Sequence, residues 1–161
     1  MPPYPSPYYR LYITQDNRQV FLRMELNIPE VHTGEFPDTL KLIKTYLPQA
    51  LDCMCSNSQN LPFRQKVRDT AIGHLFEHLL LAYIYRDRSA CPPVLPAVCG
   101  YTHWDWNRHP RGSFDITISL PRTHSSLLIP AVGRAVSLTD RILSSNMRKA
   151  RAGRTAPHRY P

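Results

Sequence analysis

Nowhere in its 161 residues does the chain hold an apolar run approaching the roughly 20 residues that a membrane span needs. Its first residues, MPPYPSPYYR, lack both the charged start and the apolar core of a secretion signal. A soluble, cytoplasmic protein is therefore expected, with no membrane partner. Its four cysteines, Cys53, Cys55, Cys91 and Cys99, are then expected to be reduced, and so to be packed, reactive or metal-bound. Glycine is scarce, with six residues, and no phosphate-binding glycine-rich loop occurs among them. There is no internal repeat, and no aromatic-rich strand of the kind that RNA-recognition domains use for base stacking.

What is present describes a globular chain. Hydrophobic residues make up 42% and charged residues 20%, a balance that supports a buried core in one domain. There are sixteen prolines, and they are densest in the first residues and between Pro92 and Pro96. The formal charge of +8 invites a nucleic-acid reading, but much of the excess lies in the terminal stretch RKARAGRTAPHR. That stretch has almost nothing apolar to bury. A single domain over residues 1–148 is expected, followed by a basic disordered tail over 149–161, and nucleic acid is not the expected partner.

Periodicity predicts the elements. Residues 9–14 and 20–28 read as strands; in the second, Leu22, Met24, Leu26 and Ile28 alternate with polar positions. Pro37-Asp38-Thr39 opens a helix with Leu40, Ile43, Tyr46 and Leu47 on one face. A second helix spans Phe63 to Tyr85. Strands follow over 98–106 and 113–120, then a helix over 126–147 with Leu127, Leu128, Val132, Val136 and Ile142 facing inward. The order ββααββα predicts an α+β fold, in which two hairpins form one antiparallel sheet covered by helices.

The second helix carries GHLFEHLLL, residues 73–81. Residues four apart stack on one helix face, so His74 and His78 present two imidazoles to one point, as a pair of Zn²⁺ ligands would. Glu77 lies at the edge of that face. This is the HxxEH arrangement: the metal acidifies a water, and the glutamate takes the proton. The apolar flanks strengthen the reading, because burying three polar groups there without partners is costly.

A catalytic zinc takes three protein ligands and keeps one position open. Glu77 is the last glutamate in the chain, so a downstream glutamate is excluded. A thiolate from the upstream CMCS segment, Cys53 or Cys55, would complete the site, and only one of the pair is needed.

The run LPQALDCMCSNSQNLPFRQKVRDTAIGHLFEHLLLAY resembles the N-terminal domain of cyanophycin synthetases, as does the later GYTHWDWNRHPRGSFDITISL. The likeness covers roughly residues 10 to 148, and it departs from the family at Cys53 and Met54, where histidines are usual, and at Ala82. In that family the domain precedes two ligase domains that build an aspartate–arginine polymer, and in some members it resembles a zinc hydrolase that trims the polymer into primers. The resemblance implies zinc bound by His74, His78 and Cys55, and Glu77 as the general base. Neither ligase domain lies in these residues, so a stand-alone domain acting in trans on a peptide or cyanophycin-like polymer is expected. The alternative is a non-catalytic binding or scaffold module.

The remaining side chains read more plainly. Cys91 and Cys99 lack CxxC spacing and are expected in the core. His103 and His109 suit a solvated hairpin. Trp104 and Trp106 should share one sheet face, usually the core, with one of them as a possible pocket wall. Asp52, Asp105 and Asp115 are the acidic groups nearest the scheme for holding guanidinium, with nothing in the pattern to place them in a cleft.

Overall fold

A computed structural model of the chain describes residues 4–53, 55, 62–88 and 98–154. Its strands are β1 (Tyr4–Pro5), β2 (Tyr9–Gln15), β3 (Gln19–Leu26), β4 (Gly100–His103) and β5 (Ser113–Ser119). Its helices are α1 (Thr39–Tyr46), α2 (Phe63–Lys66), α3 (Ile72–Arg88) and α4 (Ser125–Arg154). The strands form one antiparallel sheet in the order β1-β2-β3-β5-β4. Among the described residues no helix is long and apolar enough to cross a membrane.

The α+β architecture follows from strand alternation. Leu11 on β2, Val20, Leu22 and Met24 on β3, and Phe114, Ile116 and Ile118 on β5 all point to one buried face. α3 lies over β4 and β5 on that face, and α4 packs beside it. The opposite face carries Tyr12, Phe21 and Tyr101, all exposed.

The helix expected from Phe63 to Tyr85 is broken in two. Thr70, Ala71 and Ile72 bond instead to the segment 31–33: Thr33 N–H donates to the Thr70 carbonyl (2.8 Å), Thr70 N–H to Thr33 Oγ1 (2.9 Å) and Ile72 N–H to the Val31 carbonyl (2.9 Å). These long-range bonds satisfy backbone groups that a continuous helix would have paired locally. The strand expected over 98–106 is β4 alone, because the chain turns at Asp105, whose carbonyl accepts from the N–H groups of Arg108 and His109. Tyr46 is not on the buried face of α1; it is exposed and bonds Arg141 at 2.6 Å. At the other end of the chain α4 runs on through Arg154, so residues 149–154 of the expected tail are helical, as their Lys, Ala and Arg content permits. Residues 155–161 lie outside the described residues.

α3 is buried almost throughout. Leu75, Phe76, Leu79, Leu80 and Ile84 are all fully covered. At ~1.5–3 kcal/mol each, they contribute on the order of 10 kcal/mol, enough to carry polar side chains into the same layer. Gly73 sets how closely α3 approaches the sheet: a Cβ there would fall 2.4 Å from the Phe114 ring. Helix propensity favours alanine over glycine by about 1 kcal/mol, but overpacking costs ~1–3 kcal/mol or more. Gly73→Ala is therefore expected to destabilise the protein by about 2 kcal/mol in chemical denaturation. A stabilised variant would mean that the helix can move off Phe114 freely.

Candidate metal centre

His74 and His78 come one helical turn apart on α3, with their Nε2 atoms 3.1 Å from each other. The third donor arrives from the loop after the 3-10 turn Pro48–Asp52, where the sulfur of Cys55 lies 3.2 Å from His74 Nε2. All three donor atoms fall within 4.8 Å of one another, and the group could hold a metal ion. The edges of a tetrahedron with bonds of ~2.0–2.1 Å to nitrogen and ~2.3 Å to sulfur are about 3.4 and 3.6 Å, so the two shorter separations are close to ligand spacing. Cys53 is not part of this group; its thiol points back to the Gln49 carbonyl at 3.8 Å.

Each imidazole is braced differently. His74 Nδ1 meets Thr70 Oγ1 at 2.7 Å, a bond that fixes the ring and leaves Nε2 free for a ligand role. The His78 ring is stacked on Phe63, centroids 3.8 Å apart and nearly parallel, while its Nδ1 has no hydrogen-bond partner among the described residues. Burial pushes the His78 pKa down to about 3, with His74 adding to the effect, and burial followed by the Lys66 charge lowers His74. Both rings are therefore neutral at pH 7, the form that binds metals.

If the Thr70 bond orients His74, Thr70→Val should weaken metal binding by ~10–100-fold, the usual cost of losing such a partner. Competition against a chromophoric chelator measures it. Unchanged affinity would remove Thr70 from the site.

Glu77 faces the same cleft and is almost completely buried. Burial raises its pKa to about 7, against the hydrogen bond that the Thr102 hydroxyl donates to Oε2. Gly100 makes room for it: a Cβ there would lie 2.7 Å from Glu77 Oε1. β4 thus holds the carboxyl from above while α3 presents it from below.

The cleft has a volume of about 750 Å³. Besides the site residues it is bordered by Leu81, Tyr85, Val98 and Trp104, and by the polar His32, Lys66 and Asp69. Trp104 is one wall, and both tryptophans stack edge-on against Phe114. Cys99 is exposed at the cleft rather than packed in the core, because it immediately precedes the edge strand. Cys91 lies outside the described residues. His103 and His109 are exposed and outside the cleft lining.

None of the three aspartates named from sequence borders the cleft. Asp52 pairs with Arg64, Asp105 with Arg108 and Asp115 with Arg23. The aspartate that does face it, Asp69, lies 3.6 Å from His32. Thr70, Phe63, Gly100, Thr102 and Asp69 were not legible as site residues. Thr70 alone had a local signal, standing four residues before His74 on the approach to the helix.

Fold and site together define an α+β protein with a largely buried Cys/His/His group that could hold a metal ion and whose two histidines line a cleft. No protein-family model, curated protein or solved structure matches the chain.

Proposed function

We propose that this chain is a zinc-dependent amide hydrolase, a counterpart of the cyanophycin synthetase N-terminal domain, which cuts an aspartate–arginine polymer or a related peptide into shorter chains. The observation that carries the reading is the convergence of the Cys55 thiol on two neutral imidazoles, His74 and His78, which line one cleft together with the Glu77 carboxyl. This donor set fits zinc, which takes sulfur and imidazole nitrogen together, and three protein ligands leave the fourth position open, as catalytic sites require.

When bound, the ion supplies Lewis-acid activation. The chain's own residues do the rest. Cys55, His74 and His78 hold the ion, and Thr70 orients His74. Glu77 exchanges a proton near neutral pH, the range in which a general base is most effective. Leu81 and Val98 keep the cleft wall apolar and strengthen electrostatic interactions within it. Asp69 offers a carboxylate to a guanidinium-bearing branch.

Incubating purified polymer with the zinc-loaded protein should shorten it, with the activity lost on chelation and regained with zinc. Polymer of unchanged length would sink the substrate assignment; cleavage of an unfolded protein such as casein in the same preparation would retain the hydrolase. One observation favours a second reading, a metal-bearing binding module: Glu77 is already engaged by Thr102 and buried, as a structural carboxyl would be. That reading requires zinc-loaded protein that turns over no amide at all.

A further inference from the structure

β4 ends the sheet, and its outer side pairs with no other strand among the described residues. Which of its main-chain groups point outward follows from the register. Ser119 N–H donates to the Cys99 carbonyl at 2.8 Å, and Gly100 stands opposite Ile118, Tyr101 opposite Thr117 and Thr102 opposite Ile116. In an antiparallel pair, hydrogen-bonded and non-hydrogen-bonded positions alternate. Cys99, Tyr101 and His103 therefore bond inward to β5, and Gly100 and Thr102 turn their N–H and C=O groups to the free edge.

Both of these residues border the metal cleft, and Thr102 is the residue bonded to Glu77. The other end of the sheet is treated differently. There β1 is two residues long, contains Pro5 and is followed closely by Pro7, the usual means of blunting an edge. The sequence of β4, GYTH, has no proline, lysine or acidic residue to do the same. This edge, beside a buried carboxyl, is left open to pairing.

We propose that the outer edge of β4 is a docking strand for an extended polypeptide, whose main chain bonds to Gly100 and Thr102 and so carries a backbone amide across the Cys55, His74 and His78 group. Strand addition of this kind reads the peptide backbone, and it tolerates varied side chains. Four residues of strand at ~3.3–3.4 Å each span about 13 Å, room for a three- or four-residue contact. The ligand class is thus an unfolded or extended peptide chain, including one with an aspartate backbone, and not a small isolated amide. Which bond is cut rests on the hydrolase reading; the docking does not.

The test uses a blocked neutral hexapeptide of alternating alanine and serine, titrated into the full-length, zinc-loaded Glu77→Gln protein and followed by amide NMR and hydrogen exchange. On saturation the Gly100 and Thr102 amides should shift and gain protection, and the already bonded Tyr101 and His103 amides should keep theirs. N-methylation at alternate peptide residues should weaken binding about tenfold, with little effect at the residues between, since only every second residue bonds a docking strand. Failure to perturb Gly100 and Thr102 at millimolar peptide overturns the proposal, and so does equal sensitivity at every N-methyl position. Protection without cleavage by the wild type sustains the docking and sinks the hydrolase; cleavage without protection does the reverse.

Discussion

Cys55→Ala or His74→Ala protein is expected to lose stoichiometric zinc. In the intact chain about one ion per molecule should survive gel filtration, because three donors converge on one point and two of them are held in the neutral, ligating form by burial. Removing a supporting partner of a metal ligand costs ~10–100-fold in affinity, and removing a ligand itself should cost more than about 100-fold. Cys53→Ala is the internal control. Its thiol borders the cleft but lies outside the donor group, so zinc content should match the wild type. Elemental analysis of the purified variants decides the matter. Zinc retained by Cys55→Ala but lost from Cys53→Ala would transfer the ligand role, and zinc absent from the wild type would end the metal assignment.

Glu77→Gln is expected to separate chemistry from structure. Glutamine keeps the shape and still accepts the Thr102 hydroxyl hydrogen bond, but it cannot take up a proton. Turnover should fall by at least ~100-fold, the lower end of what general-base catalysis contributes, with zinc content unchanged. The metal-free protein gives a second readout. Folding raises the Glu77 pKa from 4.5 to about 7, so the native state binds the extra proton between those values. The associated stability is fully present below pH 4.5 and is lost as pH rises through 7. Above pH 7 the ionised carboxyl costs about 3 kcal/mol, the worth of a shift of this size. Metal-free Glu77→Gln should therefore be more stable than wild type at pH 8 and lose that advantage near pH 4.5.

His78 has the opposite sign. Its pKa is depressed to about 3, so its contribution is present above pH 6.5 and is lost as pH falls toward 3. Urea melts of wild type and Glu77→Gln across this range would show both slopes. An advantage of the variant that does not depend on pH would show that Glu77 is not held protonated by burial.

Much of this site could be read from the chain before any coordinates, for a physical reason. The relation between His74 and His78 is local: a helix of 3.6 residues per turn brings i and i+4 together whatever surrounds it. The apolar residues flanking them marked the helix as buried, and strand alternation in Leu22-Met24-Leu26 marked one face of the sheet that it covers. The α+β class follows from those two periods. The aspartates failed the same kind of reading, since a carboxylate carries no period and its position depends on which arginine it finds.

Contacts between distant segments set the rest. Cys55 reaches His74 across 19 residues and Thr102 reaches Glu77 across 25, through loops and a strand order that no local pattern encodes. The break at Thr70 arose because backbone groups there found partners at Val31 and Thr33, overriding a helical preference worth less than 1 kcal/mol per residue. Periodicity is a property of neighbours in sequence, so it placed the imidazoles and the carboxyl on one helix. The close approach allowed by Gly73 and Gly100, the bracing of His74 by Thr70 and the free edge of β4 came from packing, because each depends on where a second segment comes to rest.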